Sequence, residues 1–119
     1  MTSNVFVSYA LKDRKLAEAA KKELEKRGHV SDDTVFVDVQ DVPVGEDIRQ
    51  FLKSKIEASD ALVVVLTDAA ASSQWINYEV GLADALGKRI IVVTGKEPKD
   101  QRLLANLSNY QTVKLGDAG

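Results

Sequence analysis

Cysteine is absent from the chain, which excludes disulfides, thiolate zinc sites and a cysteine nucleophile and fits a reducing, cytoplasmic setting. Histidine is nearly absent: His29 stands alone, directly after Gly28, where it meets water more readily than metal. A histidine-dependent triad and a zinc centre therefore find no support, and no metal is expected. Glycine-rich phosphate cradles are also missing, because Gly45, Gly81, Gly87 and Gly95 never fall into GxGxxG or GxxxxGK spacing. No apolar run approaches the length of a membrane span, and the opening MTSNVFVSY lacks the charged-then-apolar layout of a signal peptide. Basic and acidic residues are interspersed to a net charge of -2, so no one-signed field gathers nucleic acid or anionic lipid.

What the chain does contain is a regular alternation. With 119 residues it forms one domain over 1–119, with a core at about 4–115, large enough to fold without staples. Four β-branched runs recur: VFVSY, TVFVDV from Thr34, ALVVVL from Ala61 and RIIVVT from Arg89, with TVKL as a fifth near the end. They are nearly continuous in hydrophobicity, as strands covered on both faces are. Helical patterns lie between them at about 12–27, 47–59 and 74–86, with a short fourth at about 100–106, and Gly28 and Gly87 close the first and third. Alternating strands and helices imply right-handed crossovers. The expected fold is α/β, a flavodoxin-like three-layer sandwich with a five-stranded parallel sheet of order 2-1-3-4-5 and helices on both faces.

That order fixes where a ligand belongs, namely the crevice at the carboxyl ends of the first and third strands, where the connections diverge to opposite faces. Ser8 and Tyr9 end the first strand, and the third leads through DAAASSQ into the helix that carries Trp75 and Glu79. Trp75 and Glu79 are four apart and so project from one helix face, an aromatic plane beside a carboxylate. At about 100° per residue, Ile76, Val80 and Ala83 form the buried centre of this helix and Glu79 its core edge. The bland alternative is a surface glutamate that pairs with a lysine. The loop VQDVPVGEDI reads as a rim built on Pro43 and Gly45, with Glu46 or Asp47 capping the next helix. The charges along 18–27 alternate in sign at helical spacing and form an ordinary wet face.

Three separated boxes together resemble the Toll/interleukin receptor (TIR) domain family, of the bacterial type, over nearly the whole chain. VFVSYALKD carries Phe6, Ser8, Tyr9 and Asp13 in register. VFVDVQDVPVGEDIRQFLKSKIEAS carries Asp38, Val42, Gly45, Ile48, Leu52, Ile56 and Ser59, and LTDAAASSQWINYE carries Ser73, Trp75 and Glu79. Some members of this family cleave NAD+ at the nicotinamide–ribose bond and others only associate. The resemblance implies that Glu79, in the W-x-x-x-E position, is catalytic. It implies further that Ser8, Tyr9, Asp38, Val42, Gly45, Ser73 and Trp75 contribute to the substrate site, with the 41–45 loop closing over it. NAD+ would be substrate rather than cofactor, and no separate cofactor is implied. Expected partners are like TIR domains and a separate effector or sensor protein, in bacterial defence or signalling. Two positions depart from the pattern: Ala10 and Leu11 stand where some enzymatic members place arginine, leaving a phosphate contact to Lys12 or Arg49, and Ile76 replaces a frequent cysteine.

Three functions are weighed on this basis. The first is an NAD+ glycohydrolase or cyclase, the second a non-catalytic TIR interaction module. The third is a nucleoside deoxyribosyltransferase-like enzyme, because YEVGLADALGKRIIVV also resembles that group. A response-regulator receiver, which needs acids where Ser8 and Tyr9 stand, is rejected. A chain that starts at its first strand and stops at GDAG is expected to be a single-domain protein working with a partner, or a domain excised from a longer one.

Overall fold

A computed structural model of the protein describes residues 4–31, 33–38, 48–95 and 110–115. Five parallel strands, β1 (Asn4–Ser8), β2 (Val35–Asp38), β3 (Ala61–Leu66), β4 (Arg89–Thr94) and β5 (Gln111–Lys114), form one sheet of order β2-β1-β3-β4-β5. The expected architecture is the observed one. The helices are α1 (Arg14–Lys26), α2 (Ile48–Glu57), α3 (Asp68–Ala71) and α4 (Gln74–Ala85), and a single 3₁₀ turn, Leu11–Asp13, precedes α1. The helix expected at 100–106 lies outside the described residues.

The central strands explain their own composition. Every residue of β3 is buried: Leu62, Val64 and Leu66 face the layer of α2 and α4, while Ala61, Val63 and Val65 face the layer of α1. Successive side chains point to opposite faces of a strand, so a strand covered on both sides has no position left for a polar residue. The two apolar layers are built alike. One gathers Phe6, Leu52, Ile56, Ile76, Val80 and Ala83 around the β3 residues, and the other gathers Val5, Val7, Ala17, Ala20 and Leu24.

Helix ends follow from local chemistry. Both α1 and α4 stop at a glycine in the left-handed region, Gly28 (φ 75°) and Gly87 (φ 70°), where a Cβ would be strained. Around each glycine the same pair of hydrogen bonds forms: Gly28 N to Glu25 O with His29 N to Leu24 O, and Gly87 N to Asp84 O with Lys88 N to Ala83 O. This double closure satisfies carbonyls that the helix end would leave bare, and after Gly87 the chain enters β4 at Arg89.

One element was not expected. DAAASSQ, read as a simple lead-in, contains the four-residue helix α3, started by the Thr67 hydroxyl accepting from Ala70 N at 3.1 Å. Threonine at this position satisfies a free helix N–H, and Ala70 then lies buried in the core.

Candidate functional site

β1 and β3 are neighbours, and Ser8 at the end of β1 pairs in register with Val64. Phe6 belongs to the α2/α4 layer, so Ser8, two residues on, points into the same layer. Tyr9 points the other way and is buried with the α1 layer. The two residues expected to border one crevice thus serve opposite faces, and only Ser8 joins the side that holds Glu79.

Glu79 rises from the middle of α4. Ser73 starts that helix, its hydroxyl accepting from Ile76 N at 3.2 Å and its carbonyl from Asn77 Nδ2 at 2.8 Å, so this residue acts as a cap. Ile76, Val80 and Ala83 seat α4 on the sheet and carry Glu79 inward with them. The sequence places Glu79 at the core edge; the structure buries it to 1% exposure, deeper than a simple wheel projects. Trp75, one turn earlier, is 41% exposed and meets the Tyr78 ring edge-on, with centroids 6.3 Å apart. The 40° advance over four residues is enough to turn one side chain toward solvent and the other into the core.

Among the described residues, both Glu79 carboxyl oxygens and the Ser8 hydroxyl are buried without a hydrogen-bond partner. Loss of water raises the Glu79 pKa to about 7 from its ordinary 4.5. The nearby Ser8 hydroxyl opposes that rise in part, although no hydrogen bond of good geometry joins the two side chains. Desolvation dominates, and among the described residues no cation favours the ionised form. A buried acid poised near neutrality without a countercharge is costly to the fold, and such groups concentrate at functional sites.

Val42 and Gly45 lie outside the described residues, and Asp38 is described only as the last residue of β2, paired with Val7. An open groove of about 810 Å³ runs along α1, bordered by Lys12, Arg14, Lys15, Glu18, Ala19 and Lys22. Of the residues expected to contact a ligand only Lys12, a candidate for the phosphate contact, lines it, and Glu79, Ser8 and Trp75 do not. No three His, Asp or Glu side chains gather as metal ligands among the described residues, and no described helix is long and apolar enough to cross a membrane.

Sequence reasoning missed one bond at the crevice. The Thr67 hydroxyl donates to Asp13 Oδ2 at 2.6 Å and ties the segment after β1 to the segment after β3. The available signal was positional, since both residues follow the carboxyl ends of adjacent strands.

A doubly wound α/β domain with a buried, unpaired carboxyl at its topological switch point is the class that these features define. The sequence profile of the TIR domain matches residues 5–118, and the chain belongs to that family. Among solved structures it is similar to the TIR domain of the Toll-related receptor TRR-2 from Hydra magnipapillata, with 19% identity and a TM-score of 0.65 over 91% of this chain and 82% of that one. It is also similar to a CMP N-glycosidase, BcmB, from Clostridium botulinum, with 18% identity and a TM-score of 0.59 over 98% of this chain and 89% of that one. A 2-desoxiribosyltransferase from Leishmania mexicana shares 19% identity and a TM-score of 0.57 over 79% of this chain and 65% of that one. At these identities the likeness is one of fold. No curated protein sequence matches the chain.

Proposed function

We propose that this TIR domain cleaves NAD+ at the nicotinamide–ribose bond, with Glu79 as the catalytic carboxylate. The observation that carries the reading is the state of Glu79: buried to 1% exposure, without a partner for either oxygen among the described residues, beside Ser8 at the carboxyl end of the sheet. The pyridinium of NAD+ supplies the positive charge that this carboxylate lacks, and binding it draws the proton off an acid whose pKa stands at about 7.

The chemistry suits a single carboxylate. When the C–N glycosidic bond breaks, its electron pair passes to the ring nitrogen, and nicotinamide leaves neutral without a general acid. Positive charge then develops on the ribosyl carbon, where a preorganised carboxylate in a low-dielectric setting stabilises it through space or by transient bonding. Water adds to the same carbon and releases a proton, giving ADP-ribose; attack by an internal nucleophile of the adenine instead gives a cyclic product. Ordinary glycosides need a second carboxyl group, because their leaving oxygen must be protonated. Trp75, half-exposed at the start of α4, supports this reading as an aromatic wall at the mouth, and Ser8 as a hydroxyl against the carboxylate. Access to a side chain this buried requires the crevice mouth to part.

A second reading has a specific observation in its favour. Two of the similar folds are named for a CMP N-glycosidase and a desoxiribosyltransferase, so the same carboxylate can be set against a nucleoside or nucleotide N-glycosidic bond. A third keeps the domain as a homotypic interaction module. The deciding experiment follows nicotinamide release from NAD+, and base release from CMP and deoxynucleosides, by the wild type and Glu79→Gln at high protein concentration. Release from NAD+ that disappears in the variant supports the proposal. Release from the other substrates alone supports the second reading, and no release from any of them leaves association.

A further inference from the structure

The geometry points to a hydrogen-bonded strap over the crevice: Asp13 and Thr67 act as positioning residues that hold Ala10 and Ala70 down on the layer containing Glu79. Three bonds make it continuous. Asp13 N donates to Ala10 O at 2.8 Å, Thr67 Oγ1 donates to Asp13 Oδ2 at 2.6 Å, and Ala70 N donates to Thr67 Oγ1 at 3.1 Å. Its two ends are anchored in the same place, because Ala70 is fully buried in the α2/α4 cluster and Ala10 packs against it. Ala10 lies two residues beyond Ser8, and α3, which contains Ala70, leads through Ser73 into α4 and Glu79. The strap therefore joins the chain just after Ser8 to the segment that leads into the Glu79 helix, and both of those side chains are without a partner among the described residues.

The choice made by Asp13 marks the strap as specific. This residue occupies the N-cap position of α1, where an aspartate ordinarily accepts from a helix N–H, yet its side chain makes no cap bond and goes to Thr67 instead. The first turn of α1 carries no acid at all. The helix start is carried instead by the 3₁₀ turn that runs into it, where Asp13 N donates to Ala10 O, and the side chain is used for a bond across 54 residues of sequence. Thr67 is used twice, as donor to Asp13 and as acceptor from Ala70, so the position calls for a side chain that does both, as a hydroxyl does.

The inference rests on Glu79 as the reacting group for its consequence in catalysis, but its structural content is tested without any activity. In ¹³C NMR titrations of the Glu79 carboxyl carbon, Asp13→Ala and Thr67→Val are expected to admit water and move the midpoint from about 7 toward 4.5 by about one unit or more. Asp13→Asn and Thr67→Ser keep an acceptor and a hydroxyl and are expected to titrate as the wild type. Asp60→Ala removes the carboxylate that accepts from Asn4 N at 3.0 Å at the opposite end of β1. It is the control for general loosening and is expected to leave the midpoint in place. Should Asp13→Ala fail to fold, the near-isosteric Thr67→Val carries the test. Wild-type midpoints in both Asp13→Ala and Thr67→Val overturn the strap, as does an equal shift in Asp60→Ala. If the strap variants shift the midpoint while no protein releases nicotinamide, the strap stands and the NAD+ reading falls. With an active wild type, the two strap-breaking variants are expected to lower kcat about tenfold and the two conservative ones to restore it.

Discussion

The two faces of the sheet are covered by apolar layers of similar make, yet one is sealed with hydrocarbon and the other encloses an acid. On the α1 side, Leu24, Ala20 and Ala17 meet Val5, Val7 and Val63. On the α2/α4 side the same kind of packing surrounds Ser8 and Glu79, neither with a partner among the described residues. The first layer is what packing alone produces. The second departs from it at the one place where the strand order opens a crevice, and a departure that stability does not explain is where function is to be sought.

The sharpest way to break this contrast is to remove the acid. If the proposed chemistry holds, Glu79→Gln lowers the rate of nicotinamide release about 1,000-fold in single-turnover assays, while circular dichroism shows an intact fold. The same change tests the cost of the buried group. The folded-state pKa of about 7 lies above the unfolded 4.5, so the unfolded chain gives up this proton first as pH rises. Stability assigned to Glu79 therefore falls from about pH 4.5 upward and levels off above about 7, by ~3 kcal/mol in all at ~1.4 kcal/mol per unit. Urea melts at pH 5 and pH 8 should show that loss in the wild type and not in Glu79→Gln.

Leu24→Ala probes the sealed layer. Truncating this fully buried side chain should cost about 2–5 kcal/mol in urea melts, with KM for NAD+ and the Glu79 midpoint unchanged. An altered midpoint would mean that the two layers are not independent. The smallest expected effect on stability is at Trp75, where truncation of a 41% exposed side chain should move the melting free energy by less than ~1 kcal/mol yet raise KM severalfold.

The architecture was legible because the main β runs are hydrophobic almost without alternation and two of the helices, α1 and α4, are closed by glycine. Strand order was expected from the arrangement that a five-strand unit of alternating strands and helices most often takes. Spacing and family pattern singled out Glu79 as the candidate, but its depth was not legible. A wheel assigns direction around one helix axis, whereas burial also depends on how far α4 leans onto β3 and how Ile76 and Val80 seat it. The division of Ser8 from Tyr9 was available from strand alternation alone, since neighbours on a strand face opposite sides. The bond between Asp13 and Thr67 joins residues far apart in sequence, and no local pattern encodes it.

Trp75 is the only tryptophan in the chain, and it stands half in solvent with the Tyr78 ring set edge-on to it. The molecule consequently carries its own optical gauge. Its tryptophan emission arises from one indole at the start of α4, so, if the proposed site holds, quenching or a blue shift on adding a dinucleotide reports occupancy with no dye, label or coupled enzyme.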